Sequence, residues 1–390
     1  MTRCASALSV HPVAATATGE VAGAVLEALG PGPDLVVMFA TRQHTGAIDD
    51  MAGAVRQILE PGLLVGCTAA GIAGCAEEVE EAPGLSLLAV RLDEGAGAVV
   101  PVRLDARPDG DGEFTVTGLP ETADEQVLVV LADPFTFPAD RFLDDLATER
   151  PGLTVVGGMA SAAFRPGGNR LLLGEQIHTD AAVGFLLPPA VGATAVVSQG
   201  CRPIGRPMVV TAATANLVES LASEPALPLL LRLIESLDPD DRALAAAGLH
   251  LGRVIDEHAD SYGPGDFLIR NVLGAVRDRQ AVAVGDNPPV GTTVQFQVRD
   301  ATTADHELRA LLAGADASGA LLFTCNGRGT NLFVEAHHDA RLVAAVASGA
   351  TAGMFCAGEV GPVGGRAFVH GFTASILLLD ADGGRPLLGG

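Results

Sequence analysis

Thr351-Ala-Gly-Met-Phe-Cys-Ala-Gly-Glu-Val-Gly-Pro-Val-Gly-Gly365 sets five glycines, one cysteine and one carboxylate between two apolar runs. Glycine at this density gives the backbone access to positive φ and lets a second strand or a ligand come close. A lone glutamate in so apolar a setting needs a partner wherever it is buried. Upstream lies Cys325-Asn-Gly-Arg-Gly329, which offers an amide and a guanidinium. These two loops are expected to meet and to form the functional pocket.

Working outward, the stretch closes a unit that recurs. The apolar run Leu35 to Ala40 reads as a strand buried on both faces. A polar loop, Thr41-Arg-Gln-His-Thr45, leads to a helix over 48–59, then to Leu63-Leu-Val-Gly66, the turn Cys67 to Gly71 and a strand over 85–92. The same order returns at Val127 to Leu131, the loop Ala132 to Thr136, a helix over 138–148, Leu153 to Val156, the turn Gly157 to Ser161 and a strand over 181–187. It returns again at Ala320 to Phe323, a helix over 338–347, Ala352 to Phe355 and Phe368 to Leu379. Repeated order at this level carries more weight than any one motif. Between the second and third copies the spacing predicts a diverged partial unit, with residues 215–247 helical and Asp238-Pro-Asp-Asp241 starting a helix.

The fold class expected is α/β, with α+β as its variant: two related halves, 1–217 and 218–390, with mixed sheets flanked by helices and built from strand–helix–strand–strand units. Loops at strand C-termini line crevices in such folds, so a cleft between the halves would be lined by the glycine-rich turns.

Composition excludes several functions. The 390 residues carry 24 basic and 47 acidic side chains, a net charge of -23, and every basic residue apart from histidine is arginine. Such a surface repels nucleic-acid backbones and anionic membranes. No apolar run approaches the roughly 20 residues of a membrane span, and the N-terminus lacks the apolar core of a signal peptide. The expected location is the cytoplasm. The six cysteines show no zinc-like spacing and read as reduced. The glycine turns do not match a phosphate-binding fingerprint. No metal and no cofactor is expected.

The phrases quoted above, with Gln199-Gly-Cys-Arg-Pro-Ile-Gly205, Asp266 to Arg270 and His370 to Ser375, resemble the FIST family, an intracellular signal-transduction sensory domain also found in an F-box protein. The resemblance divides the chain into an N-terminal and a C-terminal FIST domain, in agreement with the division near 217. It implies small-ligand binding, with amino acids or their derivatives the usual proposal, and no settled catalytic chemistry. The two halves account for the 390 residues, so a stand-alone module is expected, acting through a separate signalling protein.

Arg328 and Glu359 lead the candidates. A guanidinium presents a rigid fork to a carboxylate, so Arg328 takes a ligand carboxylate while Glu359 takes its ammonium, or the two form a structural pair pinning the loops. Asn326 adds hydrogen bonds or serves as an ordinary turn residue. Arg202 offers a second anion contact or belongs to a tight strand connection. Cys67, Cys325 and Cys356 sit at strand-to-loop edges, as thiols near a ligand or as small apolar fillers. The enzymatic alternative makes Cys325 a nucleophile with His337 or His338 as base; a protein-interaction adaptor is the other alternative. Asp339 reads as a helix N-cap. Thr41, His44 and Asp133 form a second tier of loop residues.

Overall fold

Strands buried on both faces read as unbroken apolar runs, and Leu35–Thr41 is one, with all seven residues buried. The computed structural model describes residues 2–109, 114–121, 127–259, 261–263 and 265–380. Met1 and residues 381–390, at the outer bounds of the expected halves, lie outside the described residues. The chain divides into two packing units, Met1–Val197 with Leu311–Gly390, and Ser198–Ala310.

The first unit opens with β1 (Arg3–Ser9), α1 (Ala14–Leu29), β2 (Leu35–Thr41), α2 (Ile48–Leu59), β3 (Leu63–Ala69), the hairpin β4 (Ile72–Gly74) and β5 (Glu77–Val79), and β6 (Leu85–Arg91). A second copy has β7 (Val100–Pro108), β8 (Phe114–Thr117), β9 (Val127–Ala132), α3 (Ala139–Glu149), β10 (Thr154–Met159), the hairpin β11 (Leu171–Leu173) and β12 (Gln176–His178), and β13 (Ala182–Leu187). A third begins with β14 (Ala193–Ser198).

Before it continues, the second unit intervenes. This contains β15 (Cys201–Pro203), β16 (Met208–Thr214), β17 (Leu217–Leu221), β18 (Glu224–Pro225), α4 (Ala226–Ser236), α5 (Pro239–Ala247), β19 (Leu249–Val254), β20 (Phe267–Val276), β21 (Ala281–Val284) and β22 (Thr293–Arg299), and runs into α6 (Ala301–Leu312). The third copy then resumes with β23 (Gly319–Cys325), α7 (His338–Val346), β24 (Thr351–Cys356), the hairpin β25 (Glu359–Val363) and β26 (Arg366–His370), and β27 (Ala374–Leu379).

Three sheets result, in the orders β1-β6-β2-β3-β11-β12, β8-β7-β13-β9-β10-β25-β26 and β14-β27-β23-β24-β4-β5. In each, the helix-linked strands pair in parallel and the others described run antiparallel. Each copy lends its hairpin to another copy's sheet: the first to the third, the second to the first, the third to the second. The inner faces of all three sheets share one core, in which Phe39 meets Phe323 edge-on with ring centroids 6.1 Å apart. Such an aromatic pair contributes about 0.5–1.5 kcal/mol beyond its buried area.

One glycine per copy permits this. Gly66, Gly157 and Gly353 occupy the same register opposite Met38, Val130 and Leu322. A Cβ there would lie 1.9, 1.9 and 2.3 Å from the facing carbonyl oxygen.

The α/β architecture with mixed sheets and repeated units is present as expected. The partial copy expected between the second and third repeats is not. The second unit closes a barrel through β22-β16-β17-β21-β20-β19 and back to β22, and every pairing described in it is antiparallel. Its interior is filled by Val210, Val218, Val282, Val294 and Phe296. Residues 215–247 are likewise not one helical stretch: β17 and β18 precede α4, because small apolar residues at mixed spacing suit a hairpin as well as a helix. Asp238 does cap α5, accepting from Asp241 N at 2.8 Å.

Candidate functional site

The three glycine turns converge within the first unit. Ser161, after β10, accepts a hydrogen bond from Ala70 N at 2.8 Å and donates to the Phe355 carbonyl at 2.5 Å. Phe355 N donates to Gly71 O, and Ala357 N to Met159 O. One serine therefore joins turns from all three copies. Above this junction a cavity of about 280 Å³ is lined by Arg42, Ala70, Glu80, Phe164, Asn326 and Asn331, with Gly71, Glu81, Ser161 and Phe355. It sits at the C-terminal ends of β2, β3, β10, β23 and β24, where backbone N–H groups and loop side chains are free of the sheet ladder.

Asn326 is exposed at this cavity. Its N–H donates to Cys356 O, and its carbonyl accepts from the Asn331 side chain at 3.0 Å.

Arg328 lies beneath, fully buried. Its fork is closed by Asp339: Nε donates to Oδ2 at 2.7 Å and Nη2 to Oδ1 at 2.8 Å. Thr324 Oγ1 donates to the same carboxylate, and His338 Nδ1 lies 2.9 Å from it. Burial alone would raise the Asp339 pKa, but the guanidinium outweighs it and holds the carboxyl far below the usual range. Asp339 is thus not the N-cap of α7. His337 occupies that position, and Asp339 points from the first turn into the core to reach Arg328. A charged residue early in a helix suits either role, and only the fold shows the buried cation.

Glu359 is also fully buried, yet its described partners are Thr373 N and Oγ1, at 3.1 and 3.0 Å, with the Cys325 thiol beside it. The direct Arg328–Glu359 ion pair weighed from sequence is replaced by the Arg328–Asp339 pair. Burial pushes Glu359 up to about 8, against the hydrogen bonds from Thr373 and the more distant charge of Arg328. Glu78 accepts from Ala340 N at the start of α7 (3.0 Å) and is pushed up to about 7 by burial and by Asp339.

The thiols are poorly placed for nucleophilic chemistry, which needs a thiolate. Burial, then the Glu359 charge, pushes Cys325 up to about 12. Cys67 and Cys356 are buried and raised further. Cys67 Sγ lies 3.1 Å from Met354 Sδ, a packing contact within the shared core. His337 Nδ1 accepts from Glu78 N at 2.8 Å, so this ring is held by the β5 backbone. Arg202 belongs to the second unit, where it pairs with Asp241 and with Asp300, the latter at 3.0 Å. Asp133 is buried and accepts from Asn169, Thr136 and Phe135 N. Thr41 accepts from Gly84 N.

Sequence reasoning passed over Arg42. It is the first residue after β2, four beyond Met38, as Asn326 is four beyond Leu322 in the matching register. Its guanidinium carbon stands 5.2 Å over the Phe164 ring. Its Nε is buried with no hydrogen-bond partner among the described residues, a state that costs about 1–3 kcal/mol for a buried donor. Alignment of the repeats, placing Arg42 opposite Asn326, was the available signal.

Residues 34–224 match the FIST N domain and residues 226–362 the FIST C domain. The chain belongs to the FIST family, whose domains are sensory domains of signal transduction. Its relatives include the uncharacterized protein Mb0898c of Mycobacterium bovis, 40% identical over 379 residues, covering 95% of this chain and 97% of that one. The uncharacterized protein Rv0628c of Mycobacterium tuberculosis is also 40% identical, over 95% of this chain and 98% of its own. No helix among the described residues is long and apolar enough to cross a membrane.

Proposed function

We propose that this protein is a sensory module that binds a small amino-acid-like or anionic metabolite in the cavity above the turn junction, and acts through a separate signalling protein. The observation that carries this reading is the convergence of turns from all three copies on one cavity, with Asn326 and Arg42 delivered to it by equivalent strand ends. The loop bearing Asn326 is anchored from below by Arg328–Asp339 and from the side by Glu80, which accepts from Thr330 N at 3.0 Å. A ligand contacting Asn326 and Asn331 therefore touches a segment tied to the start of α7, a physical route from occupancy to the helix. Glu359 and Arg328 support the loop in this account and do not touch the ligand. The cysteine-enzyme reading has less support, because Cys325 is held as a neutral thiol.

A thermal-shift screen over amino acids and small anionic metabolites tests the proposal. A stabilising compound whose effect is weakened by Asn326→Ala supports it; a screen without any stabilised hit counts against it.

A further inference from the structure

We infer that Arg42 is the anion anchor of this cavity and that its occupant is a small monocarboxylate. The inference rests on the ligand-binding reading above and narrows it.

Two arginines lie in the strand-end loops of the first and third copies, and they are in opposite states. Arg328 has its fork filled by Asp339. Arg42 lines the cavity, makes no ion pair among the described residues, holds its guanidinium carbon 5.2 Å over the Phe164 ring, and has a buried Nε with no hydrogen-bond partner among them. A guanidinium set over a ring face keeps N–H edges for an acceptor, and such an edge matches a carboxylate in bidentate fashion. Phe164 itself is 82% exposed, an unusual place for a large aromatic ring unless something covers it.

The remaining lining sets the ligand's charge. Among the described residues Arg42 is the one cation lining the wall, which also carries Glu80 and Glu81. With one guanidinium against two carboxylates, a phosphate dianion would add two negative charges to a wall that is already net negative; a monocarboxylate adds one, which Arg42 pairs directly. Glu80 accepts from Thr330 N and Oγ1, at 3.0 and 3.1 Å, which ties it to the loop after β23. Phe355, Phe164 and Ala70 give an apolar body its contacts, while the Asn326 and Asn331 amides serve a neutral polar substituent. A volume of about 280 Å³ lies just below the range of drug-sized ligand pockets, which starts at about 300 Å³, and so suits a small molecule.

The test titrates butyrate, benzoate and phenylacetate, their uncharged amides and inorganic phosphate into wild type, Arg42→Gln and Phe164→Leu, by calorimetry. At least one carboxylate is expected to bind wild type, with its amide and phosphate weaker. Losing a charge-assisted pair in Arg42→Gln should cost about tenfold or more in affinity. Phe164→Leu, which keeps the cation but removes the stack, should weaken binding by a smaller factor and serves if Arg42→Gln does not fold. Equal binding of acid and amide, preference for phosphate, or unchanged affinity in Arg42→Gln overturns the anchor and leaves the cavity reading standing. If no carboxylate binds wild type, the ligand class is wrong. The cavity reading is then judged separately, by whether small molecules that co-purify with wild type are lost from Ala70→Trp.

Discussion

Arg328 and Asp339 form a bidentate ion pair with both side chains wholly excluded from solvent, at 2.7 and 2.8 Å. The pair joins the loop after β23 to the first turn of α7. A buried pair of this kind is worth little against an apolar replacement but a great deal against the loss of one partner, because the survivor is left charged in the core. Arg328→Met is therefore expected to cost about 3–5 kcal/mol, read as a lower urea midpoint. The double variant Arg328→Met with Asp339→Leu should recover most of that loss. If the double variant is as unstable as the single one, the pair is not what holds the loop.

The buried glutamates predict how stability varies with pH. Glu359 rises from the ordinary 4.5 to about 8 and Glu78 from 4.5 to about 7, so the folded chain holds these protons more tightly than the unfolded one. Their contribution is complete below the unfolded value and is lost as pH climbs through the folded one. Around Glu359 stand Cys325, Thr373 and, further off, Arg328; around Glu78 stand Asp339, Glu80 and His338. The urea midpoint should fall between about pH 5 and pH 8, and Glu359→Gln should flatten that slope. A variant whose slope equals wild type would remove Glu359 from the account.

Thiol reactivity should follow burial. Cys75 is exposed, Cys4 is half-buried with its thiol pushed up to about 12, and Cys67, Cys201, Cys325 and Cys356 are buried. Iodoacetamide at neutral pH should label Cys75 first and leave Cys325 unmodified until the chain unfolds, as peptide mass spectrometry can follow. Rapid labelling of Cys325 in the folded protein would revive the nucleophile.

Gly66→Ala and Gly353→Ala test the repeat geometry. The added methyl would press into the carbonyl oxygen of Met38 or Leu322, and backbone cannot step aside as a flexible side chain can. Overpacking of this sort costs about 1–3 kcal/mol or more, whereas Gly53→Ala in α2, with open space around it, should be neutral or stabilising. Equal effects at the three positions would contradict the shared register.

Much of this fold was legible in the chain. Unbroken apolar runs such as Leu35 to Ala40 announced strands covered on both faces, and the helix expected over 48–59 is α2, Ile48–Leu59. The order strand, helix, strand, glycine turn, strand was visible three times because each copy repeats the same local chemistry. Which sheet a hairpin joins was not, since β4, β11 and β25 find their partners across the core and not beside them in sequence. The barrel was hidden for a related reason, because closing β22 onto β19 is a long-range pairing with no local signature. At the site, Asn326 was found as a polar residue in a glycine loop. Arg328 was singled out for its charge, but its partner Asp339 resembled a helix cap. Arg42 went unnoticed because a polar loop explained it; its repeat match to Asn326 was readable, but the Nε without a hydrogen-bond partner among the described residues was not.

The most direct test of the central claim is native mass spectrometry of the gently purified protein beside Ala70→Trp, a substitution that fills the cavity, both shown to be folded by thermal unfolding. The account predicts a small-molecule adduct, carried by wild type or acquired from a metabolite extract, and absent from Ala70→Trp. An adduct retained by Ala70→Trp, or none on wild type under either condition, would contradict it.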